Sequence, residues 1–403
     1  MEMTGAEIII KLLERQGITH ISGMPGGANL PMYDALYLSS IKHVLARHEQ
    51  GAGFIAQGMA RTTGKPAVCF ATSGPGATNL ITAIADAKLD SVPLIAITGQ
   101  VPLPMIGTDA FQEVDTYGLT IPITKHNFLV RSAAELLGVI PEAFRIAMSG
   151  RPGPVVVDVP KDVQLQTANF DALPTPSVAE TCGEIAEKTM DAIAEMIEEA
   201  KRPIFLIGGG IVASGASDLV CRIAENAHLP TASTLMGLGA MPSDHPLFLG
   251  MLGMHGAQYT NMALEMCDLI FAVGVRFDDR ATGKVAQFCP SAKVIHIDID
   301  ESELGKIKQP VLGLNADARQ ALQMLDDRLP NIARPDWMDQ IHRLKFDYPL
   351  ATPGIDDVFK PYGLILHVAR ALDGYTIVTT DVGQHQMWVA QSFPFQTAGQ
   401  LLT

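Results

Sequence analysis

Arg47-His48-Glu49-Gln50-Gly51 places a carboxylate where a short β-rich run gives way to a helical pattern. Two readings are open there. A Glu at a helix start can simply complement the macrodipole, worth about 0.3–1 kcal/mol. At the carboxyl end of a parallel strand it can instead point into a ligand crevice. Ala71-Thr-Ser-Gly-Pro-Gly-Ala-Thr-Asn79 also follows a strand-like run and opens a helix. Its glycines let backbone N–H groups come close to an anion or a ring, but a plain tight turn has the same composition. The intervening proline makes it neither G-x-G-x-x-G nor a Walker A loop. Gly23-Met-Pro-Gly-Gly27 is ambiguous in the same way. Farther on, Ile207-Gly-Gly-Gly210 admits either a dinucleotide or the close approach of a helix. Gly274-Val-Arg-Phe-Asp-Asp-Arg280 gathers two arginines and two carboxylates, a site or a solvated ion-pair cluster. Leu252-Gly-Met-His-Gly256 carries a single His with no second ligand at metal spacing, so no metal site is expected within the chain.

Groups like these need a scaffold to hold them. Thr4-Gly-Ala-Glu7 is a capping box that opens a helix ending near Gly17. Strand-like runs at 18–22, 42–46, 66–71 and 93–98 then alternate with helical patterns at 30–38, 49–62 and 77–88. Residues 67–71 and 94–97 are apolar without alternation, as strands buried on both faces are. The predicted class is α/β, built of successive parallel-sheet, three-layer domains. Residues 155–159 form the last strand of a first domain over 1–165. A linker over 166–188 holds Asp171, Pro174, Thr175, Pro176 and Ser177 without apolar period. A second domain over 189–330 has a helix at 189–200 and strands at 203–207, 269–273 and 294–299. Residues 331–403 are a connector and the start of a truncated third domain, whose helix (362–372) and strand (376–380) are too few to bury a core of their own.

Composition narrows the function. A net charge of −14 argues against sequence-independent binding to nucleic acid or to an anionic membrane surface. The uncharged run 91–108 contains Pro93, Pro102 and Pro104 and so reads as strand and loop, not a membrane span. Five scattered cysteines with no C-x-x-C pair read as reduced packing residues of a cytoplasmic protein.

Taken together, the motifs above and Ile-Thr-Gly-Gln-Val-Pro (97–102), Ile-Gly-Thr-Asp-Ala-Phe-Gln-Glu (106–113), Ser-Gly-Arg-Pro-Gly-Pro (149–154), Asp-Val-Pro-Lys-Asp (158–162) and Asp381-Val-Gly-Gln-His-Gln-Met-Trp388 occur in one order. In that order the chain resembles, from end to end, the large catalytic subunit of the acetolactate (acetohydroxyacid) synthases, and most of all the bacterial type. The resemblance implies a thiamine diphosphate enzyme that also carries FAD and Mg²⁺. It decarboxylates pyruvate and joins the two-carbon unit to pyruvate or 2-oxobutyrate, at the entry to branched-chain amino acid synthesis. It also implies a homodimer or tetramer with a small regulatory subunit. Pyruvate oxidase and benzoylformate-type decarboxylases share the build, and a non-catalytic fragment that binds FAD or a partner is the alternative of another kind.

The residue roles follow from the same resemblance. Glu49 matches the catalytic glutamate, which hydrogen-bonds N1′ of the aminopyrimidine and stabilises its imino tautomer. Gln112 matches a thiamine diphosphate contact, and Gly383, Gln384 and His385 match contacts to its diphosphate. Arg280 matches the receiver of the acceptor carboxylate, a task suited to a guanidinium fork. Phe111 and Met254 match apolar walls of the substrate site, and Lys161 its entrance. The FAD contacts implied are Ser91 and Arg151, the Gly208-Gly209-Gly210 turn, Thr234 and Leu235. Further FAD contacts implied are Leu252, Gly253, Met254 and His255, then Gly274, Arg276, Phe277 and Asp278, and finally Asp298, Ile299 and Asp317. The Mg²⁺ ligands of the family belong to a Gly-Asp-Gly…Asn motif expected beyond Thr403, so these residues are expected to be inactive alone.

Overall fold

Thr4 starts the first helix as its sequence predicts. In the computed structural model, which describes residues 1–372 and 376–403, the N–H of Glu7 donates to Thr4 Oγ1 and the N–H of Thr4 donates to the Glu7 carboxylate at 2.8 Å. Two orphan donors of a helix start are thus satisfied reciprocally. The chain forms β1 Glu2–Thr4, α1 Gly5–Arg15, β2 His20–Gly23, α2 Leu30–Tyr37, β3 Lys42–Leu45, α3 Glu49–Thr63 and β4 Ala67–Ala71. It continues through α4 Pro75–Thr78, α5 Ile81–Leu89, β5 Leu94–Gln100, α6 Thr116–Thr120, β6 His126–Leu129, α7 Leu136–Met148, β7 Val155–Pro160, α8 Lys161–Leu165 and β8 Thr167–Asn169. Six of these strands make a parallel sheet in the order β3-β2-β4-β5-β7-β6. The sheet explains the missing alternation in β4. Val68 and Phe70 enter the core on one face while Ala67, Cys69 and Ala71 enter the core on the other, so every position is buried.

Three features of this unit differ from the pattern read in the sequence. The helix expected over 77–88 is two helices, α4 and α5, with Asn79 and Leu80 between them. The edge strand β6, His-Asn-Phe-Leu, is short and mixed in character, with Phe128 only partly buried against the core, and does not read as a strand in the sequence. Residues 167–169, read as linker, form β8 and pair antiparallel with β1, Met3 opposite Ala168. The compact unit runs from Met1 to Thr181.

The second compact unit, Cys182–Thr403, begins with α9 Glu187–Glu199, β9 Pro203–Ile207, α10 Gly209–Ser214, α11 Ser217–Asn226, β10 Thr231–Ser233, β11 Phe248–Met251, α12 Gln258–Met266 and β12 Leu269–Val273. Then come α13 Asp279–Thr282, β13 Lys293–Asp298, β14 Leu312–Asn315, α14 Ala318–Asp326, α15 Pro335–Asp347, α16 Pro361–Ala371, β15 Val378–Thr379, α17 Gln384–Ser392 and β16 Leu401–Leu402. Its parallel sheet has the order β11-β10-β9-β12-β13-β14. Phe205 and Phe271, cross-strand partners on β9 and β12, stack at 4.8 Å on one face, and Ile204 and Ile270 bury on the other.

The stretch read as a connector is docked on this unit. Arg334 is buried, and its guanidinium donates to the carbonyls of Ile197, Ala200 and Ala227, so one side chain caps the ends of α9 and α11. Trp337 Nε1 donates to the Pro203 carbonyl at 3.0 Å. Among the described residues, those expected to begin a third domain make the two-stranded pair β15–β16 with α16 and α17. They bury Ala390, Phe393 and Phe395 in the core of the second unit instead of building one of their own.

Candidate functional site

Each parallel sheet has a point near its middle where the strand order turns from one direction to the other, and ligands of such folds bind outside the carboxyl ends of the strands at that reversal. In the first unit it falls between β2 and β4. Gly23 ends β2 and Ala71 ends β4, so the Gly23–Gly27 and Ala71–Asn79 motifs meet at one place. The N–H of Ala28 donates to Thr72 Oγ1 at 3.1 Å and ties the two loops together. A Cβ on Gly26 would lie 2.6 Å from Thr72, so only glycine allows that approach.

Glu49 opens α3 behind β3 and is 9% exposed. It is not needed as the cap, because His48 Nδ1 accepts the N–H of Gln50 at 3.1 Å. Asn79 Nδ2 donates to Glu49 Oε2 at 2.9 Å. Among the described residues nothing donates to Oε1, which lies beside Gly76 where a Cβ would stand 3.5 Å away. A buried carboxylate therefore keeps one acceptor oxygen available, and the second glycine of Gly-Pro-Gly leaves room beside it. Asn79 was not singled out from the sequence. Its place between α4 and α5 shows only in the structure, because the sequence reads as one helix there.

Gln112 joins this cluster through its backbone. Gly74 has φ +57°, and a Cβ there would lie 2.6 Å from the Gln112 carbonyl oxygen. Gln112 itself sits at φ +59°. Phe111, next to it, is 87% exposed in this chain. Lys161 opens α8 and lines a separate cleft of about 800 Å³ with Leu30, Tyr33 and Gln164, whose lining does not include Glu49. Ser91 and Arg151 are paired with each other, Arg151 Nε donating to Ser91 Oγ at 2.8 Å. They precede β5 and β7, at the amino edge of the sheet, and not at the edge that carries Glu49.

A buried network fixes the carboxyl ends of β5 and β7. Thr98 Oγ1 donates to Asp158 at 2.6 Å, and Gln100 Nε2 donates to Asp158 at 3.0 Å and to the Val114 carbonyl at 2.9 Å. Burial pushes the Asp158 carboxyl up to about 7, against the lowering effect of the Thr98 and Gln100 hydrogen bonds.

In the second unit the reversal falls between β9 and β12. Gly208–Gly210 follows β9 and Gly274 follows β12, and a Cβ on Gly210 would lie 2.6 Å from Gly274 Cα. The N–H of Gly210 donates to the Gly274 carbonyl at 3.1 Å. Of the two readings left open for the triple glycine, close backbone packing is thus directly visible. The other expected residues line the same carboxyl edge. The Thr234 N–H donates to the Ile207 carbonyl at 3.0 Å, and Leu235 opens the turn that follows. Leu252 N–H donates to the Ser233 carbonyl, and Met254 N–H to the Arg280 carbonyl at 3.0 Å. Gly253, at φ +89°, packs against the backbone of Arg280 and Ala281.

Asp278 caps α13, its Oδ1 accepting the N–H groups of Arg280 and Ala281 at 2.9 and 3.1 Å. That turn, with Phe277 at φ +52°, carries Arg276 just before it. Arg280 holds its guanidinium 71% exposed, with Asp279 at 3.8 Å. Asp298 ends β13 and accepts the N–H of Asp300 at 2.9 Å, while Asn315 holds the carbonyls of Asp298 and Ile299. Asp317 caps α14 by accepting the Gln320 N–H at 3.0 Å. The His255 carbonyl accepts from Gln391 of α17 at 2.8 Å, the helix opened by Gly383, Gln384 and His385. Met254 is 64% exposed. Among the described residues no three His, Cys, Asp or Glu side chains are grouped so as to hold a metal ion, and no helix is long and apolar enough to cross a membrane.

Both units match thiamine pyrophosphate enzymes. Residues 3–119 match the N-terminal TPP-binding domain of that class, and residues 190–325 match its central domain. The chain is 57% identical, over 403 residues, to the acetolactate synthase isozyme 1 large subunit of Escherichia coli, covering 99% of this chain and 71% of that protein. It is 46% identical to a probable acetolactate synthase large subunit of Methanocaldococcus jannaschii (97% and 68% covered) and 47% identical to the chloroplastic acetolactate synthase of Arabidopsis thaliana (99% and 61%). The chain belongs to the acetolactate synthase large-subunit family. It spans 61% to 71% of the length of these relatives.

Proposed function

We propose that this protein is the catalytic subunit of an acetolactate synthase, decarboxylating pyruvate and transferring the two-carbon unit to pyruvate or 2-oxobutyrate. The observation that carries the reading is Glu49: a buried carboxylate at the strand reversal, with Oε2 fixed by Asn79 and Oε1 facing a glycine. That donor set fits the aminopyrimidine of thiamine diphosphate, which supplies, when bound, a nucleophilic carbon and a sink for the electrons left by CO₂ loss. Glu49 would accept a hydrogen bond from a ring nitrogen and hold a proton there, while Asn79 keeps the carboxylate in one rotamer. Gln112, seated on Gly74, and Gln384 and His385, at the start of α17, are the further residues we assign to that cofactor.

The row of strand ends Gly208, Thr234, Leu252, Gly274, Asp298 and Asp317 fits an extended dinucleotide such as FAD lying along the second sheet. Among the described residues no group of carboxylates or imidazoles fits Mg²⁺. Arg280, with its guanidinium largely exposed, would receive the carboxylate of the acceptor. We assign Phe111 and Met254 to the walls of the substrate site and Lys161 to its approach. A homodimer or tetramer with a small regulatory subunit, in the cytoplasm, completes the proposal.

The test is Glu49→Gln in the native protein, supplied with thiamine diphosphate, Mg²⁺ and FAD. Removing the proton-holding group should lower acetolactate formation by about 10²–10⁴-fold with FAD content retained. Near-normal turnover would overturn the assignment.

A further inference from the structure

Glu113 follows Phe111 and Gln112 in the loop between β5 and α6. Its carboxylate turns back on its own loop. Oε1 accepts the N–H of Gly107 and Oε2 accepts the N–H of Ala110 at 3.2 Å. Two backbone amides three residues apart thus converge on one carboxylate, one on each oxygen. These backbone hydrogen bonds, that of Gly107 first, hold the Glu113 carboxyl below its usual range and keep it ionised.

The loop needs such an organiser. Gly107, Asp109 and Gln112 have φ of +80°, +56° and +59°. Non-glycine residues rarely adopt that region, and each does so at a cost that the surroundings must offset. No helix or strand holds residues 106–115 in place. The loop is tied to the sheet near its ends, where Gln100 Nε2 donates to the Val114 carbonyl and the Leu103 N–H donates to Asp162 at 3.1 Å. Between those ties, Gln112 packs its backbone on Gly74, two residues before Gly76, which neighbours Glu49 Oε1.

We propose that Glu113 is a positioning residue: its carboxylate folds residues 107–112 around itself and thereby fixes Gln112 against the Gly-Pro-Gly turn that borders Glu49. The inference rests on the assignment of thiamine diphosphate to this crevice. Glu113 does not touch the reacting atoms. It acts through the shape of the loop, and a neutral amide cannot replace it, because one of its two ends would present N–H groups to the backbone N–H groups that converge there.

The experiment compares wild type with E113Q and E113A in the native protein. Hydrogen–deuterium exchange is read on a peptide spanning 101–114 and on peptides from β5 and β7, and the apparent KM for thiamine diphosphate is measured beside it. Loss of these charge-assisted bonds should speed exchange in the 101–114 peptide about tenfold in E113Q and further in E113A. The KM for thiamine diphosphate should rise by about the same factor, with the β5 and β7 peptides unchanged. Unaltered exchange in both variants overturns the proposal, as does faster exchange with an unaltered KM. Equal acceleration in the loop, β5 and β7 shows a general loss of stability and also overturns it. A wild-type protein that consumes no pyruvate sinks the functional reading, and with it the role of Glu113, even where the exchange result stands.

Discussion

Asp158→Asn should change how the stability of the first unit depends on pH. The carboxyl is fully buried at the end of β7 and meets only neutral donors, the Thr98 hydroxyl and the Gln100 amide. With no cation against it, burial raises it from the ordinary 3.8 to about 7. Below pH 4 both the folded and unfolded chains hold this proton, so its contribution is at its most favourable. Between about pH 4 and 7 the unfolded chain has released the proton and the folded chain has not, so stability from this group falls as pH rises. Above pH 7 both states are ionised and the loss has reached its full size. At about 1.4 kcal/mol for each tenfold step, the whole interval is on the order of 4 kcal/mol.

Asparagine does not titrate and removes this slope. It introduces a different defect, since its NH₂ must face either the Thr98 hydroxyl or the Gln100 amide, at a cost of about 1–3 kcal/mol. The variant should therefore be less stable than wild type at pH 5 and should equal or surpass it at pH 8. Urea-dependent hydrogen exchange of peptides from β5 and β7 reports this unit directly. A difference between variant and wild type that stays constant from pH 5 to 8 would show that Asp158 is ionised throughout and that the argument from burial is wrong.

Asn79→Ala should leave Glu49 Oε2 without its donor and lower acetolactate formation about tenfold, a loss of one hydrogen bond to a charged group; unchanged turnover would remove Asn79 from the site. Gly274→Ala puts a Cβ 2.6 Å from Gly210 Cα at φ +62°, which should cost about 1–3 kcal/mol in overpacking alone. Trp337, buried in the same unit, makes urea unfolding by fluorescence the measurement, and an unshifted midpoint refutes the packing. Arg280→Ala should lower acetolactate formed per pyruvate decarboxylated, with FAD saturating, because a desolvated acceptor carboxylate loses charge-assisted bonds worth about 1.5–3 kcal/mol each. If both rates fall together at an unchanged ratio, Arg280 serves only the ion-pair cluster around Asp279.

Much of this protein is legible in its residues. Buried parallel strands such as Ala67–Ala71 and Leu269–Val273 are apolar at every position because both faces lie in a core, and that pattern needs no partner to be recognised. Thr4 and Glu7 carry the geometry of a helix start within four residues. Several motifs, among them Gly23–Gly27, Ala71–Asn79, Gly208–Gly210 and Gly274–Arg280, sit at the carboxyl ends of strands, where backbone approaches a ligand or another backbone closely. Edge strands such as His126–Leu129 and Leu312–Asn315 leave no comparable trace, since they bury little.

The tertiary structure decided what each motif touches. Sequence could not choose between a cap and a crevice for Glu49; His48 takes the capping bond, and Asn79, thirty residues away, takes Oε2. It could not show the close packing of Gly208–Gly210, because the contact comes from Gly274 on another strand. Nor could it place residues 331–403, whose Arg334, Trp337, Phe393 and Phe395 bury against the second unit. In each case the deciding partner is far away along the chain. Local pattern fixes which way a residue faces along its own element, and only the packing of elements settles what it meets there.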